Sequence, residues 1–216
     1  MSNVPKNKIG WMIIVVLTFG AAGFAIAPYV LFDPEQSRVS LNPSFNLHYP
    51  LLLVHIFASL FALIVGWLQF LPGLRARRPH VHRIVGRSYL AFVAIGSITG
   101  LIVGMYTSSY IRQMAFLILV ALWLFTGWQG YRSARHRKFE AHGVWMTRNY
   151  AMTLVAASAR IVTPVCILIY LAGHRGVPFQ GVEPILNQVL EVNIWVGLVI
   201  NIVISEWVIV NRLKKR

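Results

Sequence analysis

Cysteine is all but missing. Cys166 stands alone, so no disulfide and no cysteine-built metal site can form within one chain. Acidic side chains are nearly as scarce, six Asp and Glu against 20 Lys and Arg. The only acids inside apolar segments, Glu191 and Glu206, stand at opposite ends of one run, which puts catalysis by paired carboxylates out of reach. No H-E-x-x-H and no G-x-S-x-G occurs, so the zinc-protease and serine-hydrolase arrangements those motifs build are absent as well. Charge of either sign is thin: 12% of residues, where a soluble domain carries about 25%.

What is there instead is apolar. Over 216 residues 57% are hydrophobic and the mean hydropathy is +0.64. Runs of about 20 such residues are what a bilayer-spanning helix needs. Six are present: Ile9–Phe32, Tyr49–Leu71, Ile84–Tyr106, Ile111–Tyr131, Val144–Leu171 and Val189–Val210. The first is too long for the apolar region of a signal peptide and is read as a span. The sequence therefore predicts an all-α polytopic membrane protein forming one domain over residues 1–216, with no room for a soluble domain.

The net charge of +14 would suggest nucleic acid in a soluble chain. Here the basic residues gather on one side. Lys6 and Lys8, the clusters at Arg75–Arg87 and Arg132–Arg148, and Arg212–Arg216 all fall there, against Arg38, Arg112 and Arg175 opposite. This asymmetry predicts both termini in the cytoplasm of a bacterial inner membrane, with anionic headgroups at the basic face and no nucleic-acid partner.

The stretch Arg75–Tyr89, "RARRPHVHRIVGRSY", is nearly rewritten at Arg135–Tyr150, "RHRKFEAHGVWMTRNY". At an offset of 60, Gln69, Arg75, Arg77, Arg78 and His82 meet Gln129, Arg135, Arg137, Lys138 and His142. At 61, Gly66, Trp67, Arg87 and Tyr89 meet Gly127, Trp128, Arg148 and Tyr150. The pattern predicts a helical hairpin over 49–106 duplicated over 111–171, a parallel repeat that forms a four-helix core. Basic loops alone would follow from topology. A histidine at a fixed place followed by R-x-Y inside the next span does not.

Two polar layers follow. The inner one holds His82, Arg87, Tyr89, His142, Arg148, Tyr150, Gln69, Gln129 and Glu206. Its plain reading is electrostatic, with arginines snorkelling to headgroups and Glu206 neutralising one of them. The outer one holds Arg160, with His55, Glu191 and Asn193 near its depth. An arginine inside a span is costly and by default functional; the alternative is an ion pair tying helices together. His48 shares a helical face with His55. His80, His136 and His174 read as solvated loop residues, and Trp67, Trp128, Trp145 and Trp207 as an interfacial aromatic belt. Gly96, Gly100 and Gly104 suggest close helix packing, and Pro164 a kink just beyond Arg160.

Several of these residues carry a resemblance. His55, Gly66, Gln69–Phe70, "HRIVGRSY", His142 followed by "WMTRNY", Arg160 and Pro164 together resemble the bacterial membrane proteins grouped as domain of unknown function 2306, over roughly Leu47 to Trp207. Gly143 stands where that pattern leads one to expect a basic residue. The resemblance implies a fold and no established activity. A looser one is to the transmembrane cytochromes b that take electrons from ascorbate. It implies haem b between His82 and His142, with Arg87 or Arg148 at the propionates; His55 has no second histidine in a neighbouring span to serve another haem. Three readings follow. One is a protein that binds an anionic or lipidic small molecule through buried Arg160 and the inner His/Arg layer, with Tyr89, Tyr150, Glu191 and Glu206 as further contacts. The others are a b-type haem electron-transfer protein, and a non-catalytic subunit or assembly factor of a membrane complex or homo-oligomer.

Overall fold

A computed structural model describes residues 8–174 and 181–214, apart from the side chains of 8–14, 72 and 182. Lys6, Arg175, Lys215 and Arg216, which entered the charge count, lie outside the described residues, as does the side chain of Lys8. The described chain is helical throughout: α1 (Lys8–Ile26), α2 (His48–Gln69), α3 (Pro72–Arg77), α4 (Pro79–Met105), α5 (Tyr110–Arg135), α6 (Phe139–Thr153), α7 (Val155–Gly173) and α8 (Val182–Leu213). Two short 3-10 turns, Ala27–Tyr29 and Pro34–Gln36, follow α1. Five helices are long and apolar enough to cross a bilayer: α2, α4, α5, α7 and α8. Around the end of α1, Val15–Tyr29 forms a shorter apolar stretch.

Helix ends do not coincide with the apolar limits read from sequence. The run expected from Ile84 begins at Pro79, and the one expected from Val144 begins at Phe139. Hydropathy marks where hydrocarbon stops, whereas capping decides where a helix stops. Pro79 sits in the first turn of α4, where a missing N–H costs nothing. Ser109 caps α5, its hydroxyl accepting from the Arg112 N–H. His82 and His142 consequently lie inside helices.

The break in Val144–Leu171 also falls elsewhere. Pro164 lies within α7, while the helix is interrupted at Leu154, ten residues earlier in the chain. The interruption is held from α8. Asn201 donates to the Ala151 carbonyl (3.0 Å) and accepts from the Ser158 hydroxyl (2.9 Å), one bond on each side. A broken turn in an apolar medium needs such substitutes for its lost backbone bonds. At Gly197 α8 comes so close that an added Cβ would stand 3.0 Å from the Ala159 nitrogen.

Contacts show the order of the bundle. Gln69 lies against Gly86, Ser59 against Gly96 and His55 against Gly100, so α2 and α4 run antiparallel. Leu90 lies near Gly127 and Phe116 against Gly104, so α4 and α5 do too. α6 packs back on α5, and α8 runs beside α6 and α7. The buried centre joins Ala62 and Leu63 of α2, Tyr89 and Val93 of α4, Trp123 of α5, Tyr150–Met152 of α6, Val155 of α7 and Leu198 of α8. We call the end carrying the basic loops inner and the end carrying residues 33–47 outer.

Candidate functional site

Three polar levels are stacked through the bundle, and each is built differently. At the inner level His142 sets its Nδ1 2.9 Å from the carbonyl oxygen of Gly130. A carbonyl can only accept, so the proton lies on Nδ1 and Nε2 presents a free lone pair. His82 is held the other way. The Gln69 carboxamide takes its orientation from backbone groups: its oxygen accepts from the Gly86 N–H (3.2 Å) and its nitrogen donates to the His82 carbonyl (3.3 Å). That same nitrogen donates to His82 Nδ1 at 2.9 Å, which leaves the ring proton on Nε2. His142 lies within electrostatic reach of His82.

These tautomers test the haem expectation. An iron held by two imidazoles needs a lone pair from each, usually with the far nitrogen donating to an oxygen. His142 is arranged so and His82 is not. Above them the ring centroids of Tyr89 and Tyr150 stand 6.4 Å apart, Phe70 packs on Tyr150, and both tyrosine rings crowd Gly66. The residues as arranged do not fit a bis-histidine haem. Among the described residues no group of three or more His, Cys, Asp or Glu side chains gathers to hold a metal.

The two inner arginines also part company. Arg148 forms a two-point bond with Glu206, Nε to Oε1 at 2.6 Å and Nη2 to Oε2 at 3.1 Å, with its guanidinium 4.8 Å from the Trp145 ring. Arg87 is exposed and makes no such pair. Gln129 is half-buried beside exposed Trp128.

The middle level is a closed network that sequence inspection passed over. The Tyr89 hydroxyl donates to Asn149 Oδ1 (2.6 Å) and lies 2.8 Å from the Thr153 hydroxyl. Trp123 Nε1 donates to Thr153 (3.0 Å). Asn149 Nδ2 donates to the Trp123 carbonyl (2.6 Å) and the Thr126 hydroxyl (2.9 Å). Tyr150 donates to the Leu63 carbonyl (3.0 Å). Every hydrogen-bonding group here finds a partner, so this is a clamp between helices with no polar atom left over for a ligand. The signal was an asparagine inside an apolar run, one place before Tyr150.

The outer level is open. His55 sets Nδ1 2.8 Å from the Gly96 carbonyl, so its Nε2 too carries a free lone pair. Its ring lies where Gly100 leaves room; a Cβ there would stand 2.5 Å from ring atoms. Arg160 lies within electrostatic reach of His55, Tyr29 and Arg38. The sequence reading had Arg160 well inside the outer half of the bilayer. Its side chain is exposed on the surface of α7. Asn193 of α8 bonds Thr163 and Gly197 lies against Ala159, so Arg160 stands level with the stretch of α8 between them, where Trp195 bonds the Ile111 carbonyl. Nη1 donates to the Ala156 carbonyl one turn back (2.8 Å), not to a carbonyl freed by Pro164. Among the described residues it has no carboxylate partner. Glu191, which the sequence grouped with it, is half-exposed and unpaired there.

The remaining histidines differ again. His80, His136 and His174 are exposed. His48 is only 2% exposed. Its Nδ1 accepts from the Asn42 N–H (2.8 Å), while its Nε2 finds no partner.

With this geometry in hand, the comparisons with known proteins are brief. A family model described as a predicted membrane protein of domain of unknown function 2306 matches residues 52–209. No curated protein and no solved structure matches the chain.

Proposed function

The chain belongs to the predicted-membrane-protein family of domain of unknown function 2306, and we propose that it binds an anionic amphiphile at Arg160. The observation that carries this reading is an exposed guanidinium on α7, with one bond to its own helix and, among the described residues, no carboxylate partner. Arginine stays charged at any depth, so an unpaired one near the lipid boundary calls for an anion from lipid or solvent. Exposed apolar side chains of α1 and α7, among them Phe24, Ile161, Val165 and Leu168, offer a surface for an alkyl chain. The test is binding of phosphatidic acid from phosphatidylcholine nanodiscs. Wild-type protein enriches it, and Arg160→Met loses at least ten-fold in affinity while keeping its unfolding temperature. Undiminished binding by the folded variant would sink the reading.

The same proposal takes six spans, with α1 as the first, in a bacterial inner membrane with both termini cytoplasmic, and a duplicated hairpin at the core. Support for duplication comes from reciprocity. Tyr89 of the first hairpin bonds Asn149 of the second, and Tyr150 of the second bonds Leu63 of the first. A cysteine placed at Lys214 in a Cys166→Ser background should react with an impermeant maleimide only in inverted vesicles. Labelling in intact cells would reverse the orientation.

Haem b remains a second reading on one observation, the carbonyl-anchored Nδ1 of His142. His82 stands against it. Protein purified from haem-replete cells without a Soret band would end it.

A further inference from the structure

The segment that enters α2 at the outer end is fastened through one imidazole. His48 is only 2% exposed, and its Nδ1 accepts the Asn42 N–H at 2.8 Å. Its own backbone N–H donates to the Phe45 carbonyl at 2.9 Å, so residues 42–48 close into a loop beside the ring. Phe45 and Tyr106 flank it, with ring centroids 6.2 and 5.6 Å from the imidazole and 4.4 Å from each other. Earlier in the chain the anchors do not involve His48. Leu41 packs on the cluster of Tyr29, Leu52 and Val103, and the Arg38 guanidinium donates to the Phe24 carbonyl at 2.9 Å.

A backbone N–H can only donate, so the Asn42 bond exists only while Nδ1 is unprotonated. A protonated ring would set N–H against N–H at 2.8 Å. It would also place a charge in an enclosure where Nε2 already finds no partner. The surroundings do not offset that charge. Residues 42–47 contain no titratable side chain. Tyr49 follows His48 on α2, Tyr106 faces it from the end of α4, and Tyr29 joins the adjoining cluster. These are phenols, which ionise only near pH ~10. Of the charged groups before the loop, Asp33 bonds the Glu35 N–H and Gln36, Glu35 is exposed, and Arg38 bonds Phe24. Among the described residues no carboxylate pairs with His48.

We propose that residues 42–47 form a pH-released strap, fastened by neutral His48 and freed from the outer ends of α2 and α4 by acidification. The freed ring binds a proton that the fastened ring cannot. Fastening is therefore complete above the ~6.5 at which a free imidazole titrates, and weakens as the pH falls below it.

The test is hydrogen exchange at the Asn42 amide of the wild-type protein in phosphatidylcholine nanodiscs, corrected for the intrinsic rate. Between pH ~8 and pH ~5 its protection should fall about thirty-fold, the proton-binding gain of a free imidazole over that range. The Ser37 N–H, bonded to the Pro34 carbonyl outside the strap, should keep its protection. His48→Asn sets a non-titrating oxygen where Nδ1 stood, and its Asn42 protection should not respond to pH. Protection independent of pH in the wild type overturns the proposal, as does an equal fall in His48→Asn. Should that variant fail to fold, ring-nitrogen NMR of the wild type decides. Nδ1 must gain its proton over the range in which protection is lost, and a ring still neutral there overturns the proposal.

Discussion

The hairpins α2–α4 and α5–α6 solve one packing problem in mirrored ways. In the first, the bulky Gln69 on the leading helix lies over Gly86 on the returning one, where an added Cβ would stand 3.2 Å from the Gln69 carboxamide. In the second, the leading helix supplies Gly130 and the returning one Met146, whose sulfur would lie 2.5 Å from a Cβ on Gly130. The large side chain is on the leading helix in one hairpin and on the returning helix in the other, and Gln129, which aligns with Gln69, stands one place before Gly130. The chemistry at the two histidines differs. A glutamine amide donates to His82, whereas a bare backbone carbonyl accepts from His142. The two recurring histidines therefore hold opposite tautomers. The arginines diverge for another reason: α8 packs chiefly along α5, α6 and α7, so Arg148 meets Glu206, while among the described residues Arg87 has no carboxylate partner.

The comparison can be broken hardest at its glycines. A Cβ on Gly66 would fall 2.6 Å from the Tyr150 ring and 2.7 Å from the Tyr89 ring, both buried. Its counterpart Gly127 would meet Asn149 Nδ2 at 3.2 Å. Gly66→Ala should cost about 3 kcal/mol and Gly127→Ala about 1 kcal/mol, read by reversible unfolding in detergent. Equal costs would mean the hairpins are packed alike. Next come the crossing tyrosines. Tyr89→Phe removes a 2.6 Å bond and strands Asn149 and Thr153 in the interior, about 2 kcal/mol. Tyr150→Phe removes a bond to a carbonyl inside α2, about 1 kcal/mol.

The close contact of Gly130 with Met146 can be tested by a double-mutant cycle. Gly130→Ala collides with Met146 and Met146→Ala leaves room, so the pair together relieves the collision. A coupling of about 1–2 kcal/mol in favour of the double variant is expected. Additive costs would deny the contact. The smallest effect belongs to Glu206→Gln. The ion pair is half-exposed, with side chains 30% and 43% accessible, so its loss should cost less than ~1 kcal/mol. A larger cost would show that α8 depends on it.

The fold class was legible because composition and run length respond directly to the bilayer. The recurrence of His82, Arg87 and Tyr89 at nearly constant offset as His142, Arg148 and Tyr150 was legible, and the proposed duplication rests on it. Counting along a helix fixes height and says nothing about which flank faces lipid, so the exposure of Arg160 on α7 was not legible. A kink was expected at Pro164 because proline is the visible breaker, and the interruption at Leu154 was not foreseen. The residue that stabilises the actual break is Asn201, 47 positions further along the chain from Leu154.

By itself the sequence determined that this is a helical membrane protein, which end of each helix is basic, and which side chains recur. Those properties follow from local composition and from hydrophobic transfer, both of which act residue by residue. Only the tertiary structure decided that Tyr89, Asn149, Thr153 and Trp123 close into a clamp, that His82 and His142 hold their protons on different nitrogens, and that Arg160 is exposed on α7. A ring's proton goes where its partner dictates. That partner is a carbonyl or amide on another helix, placed there by packing.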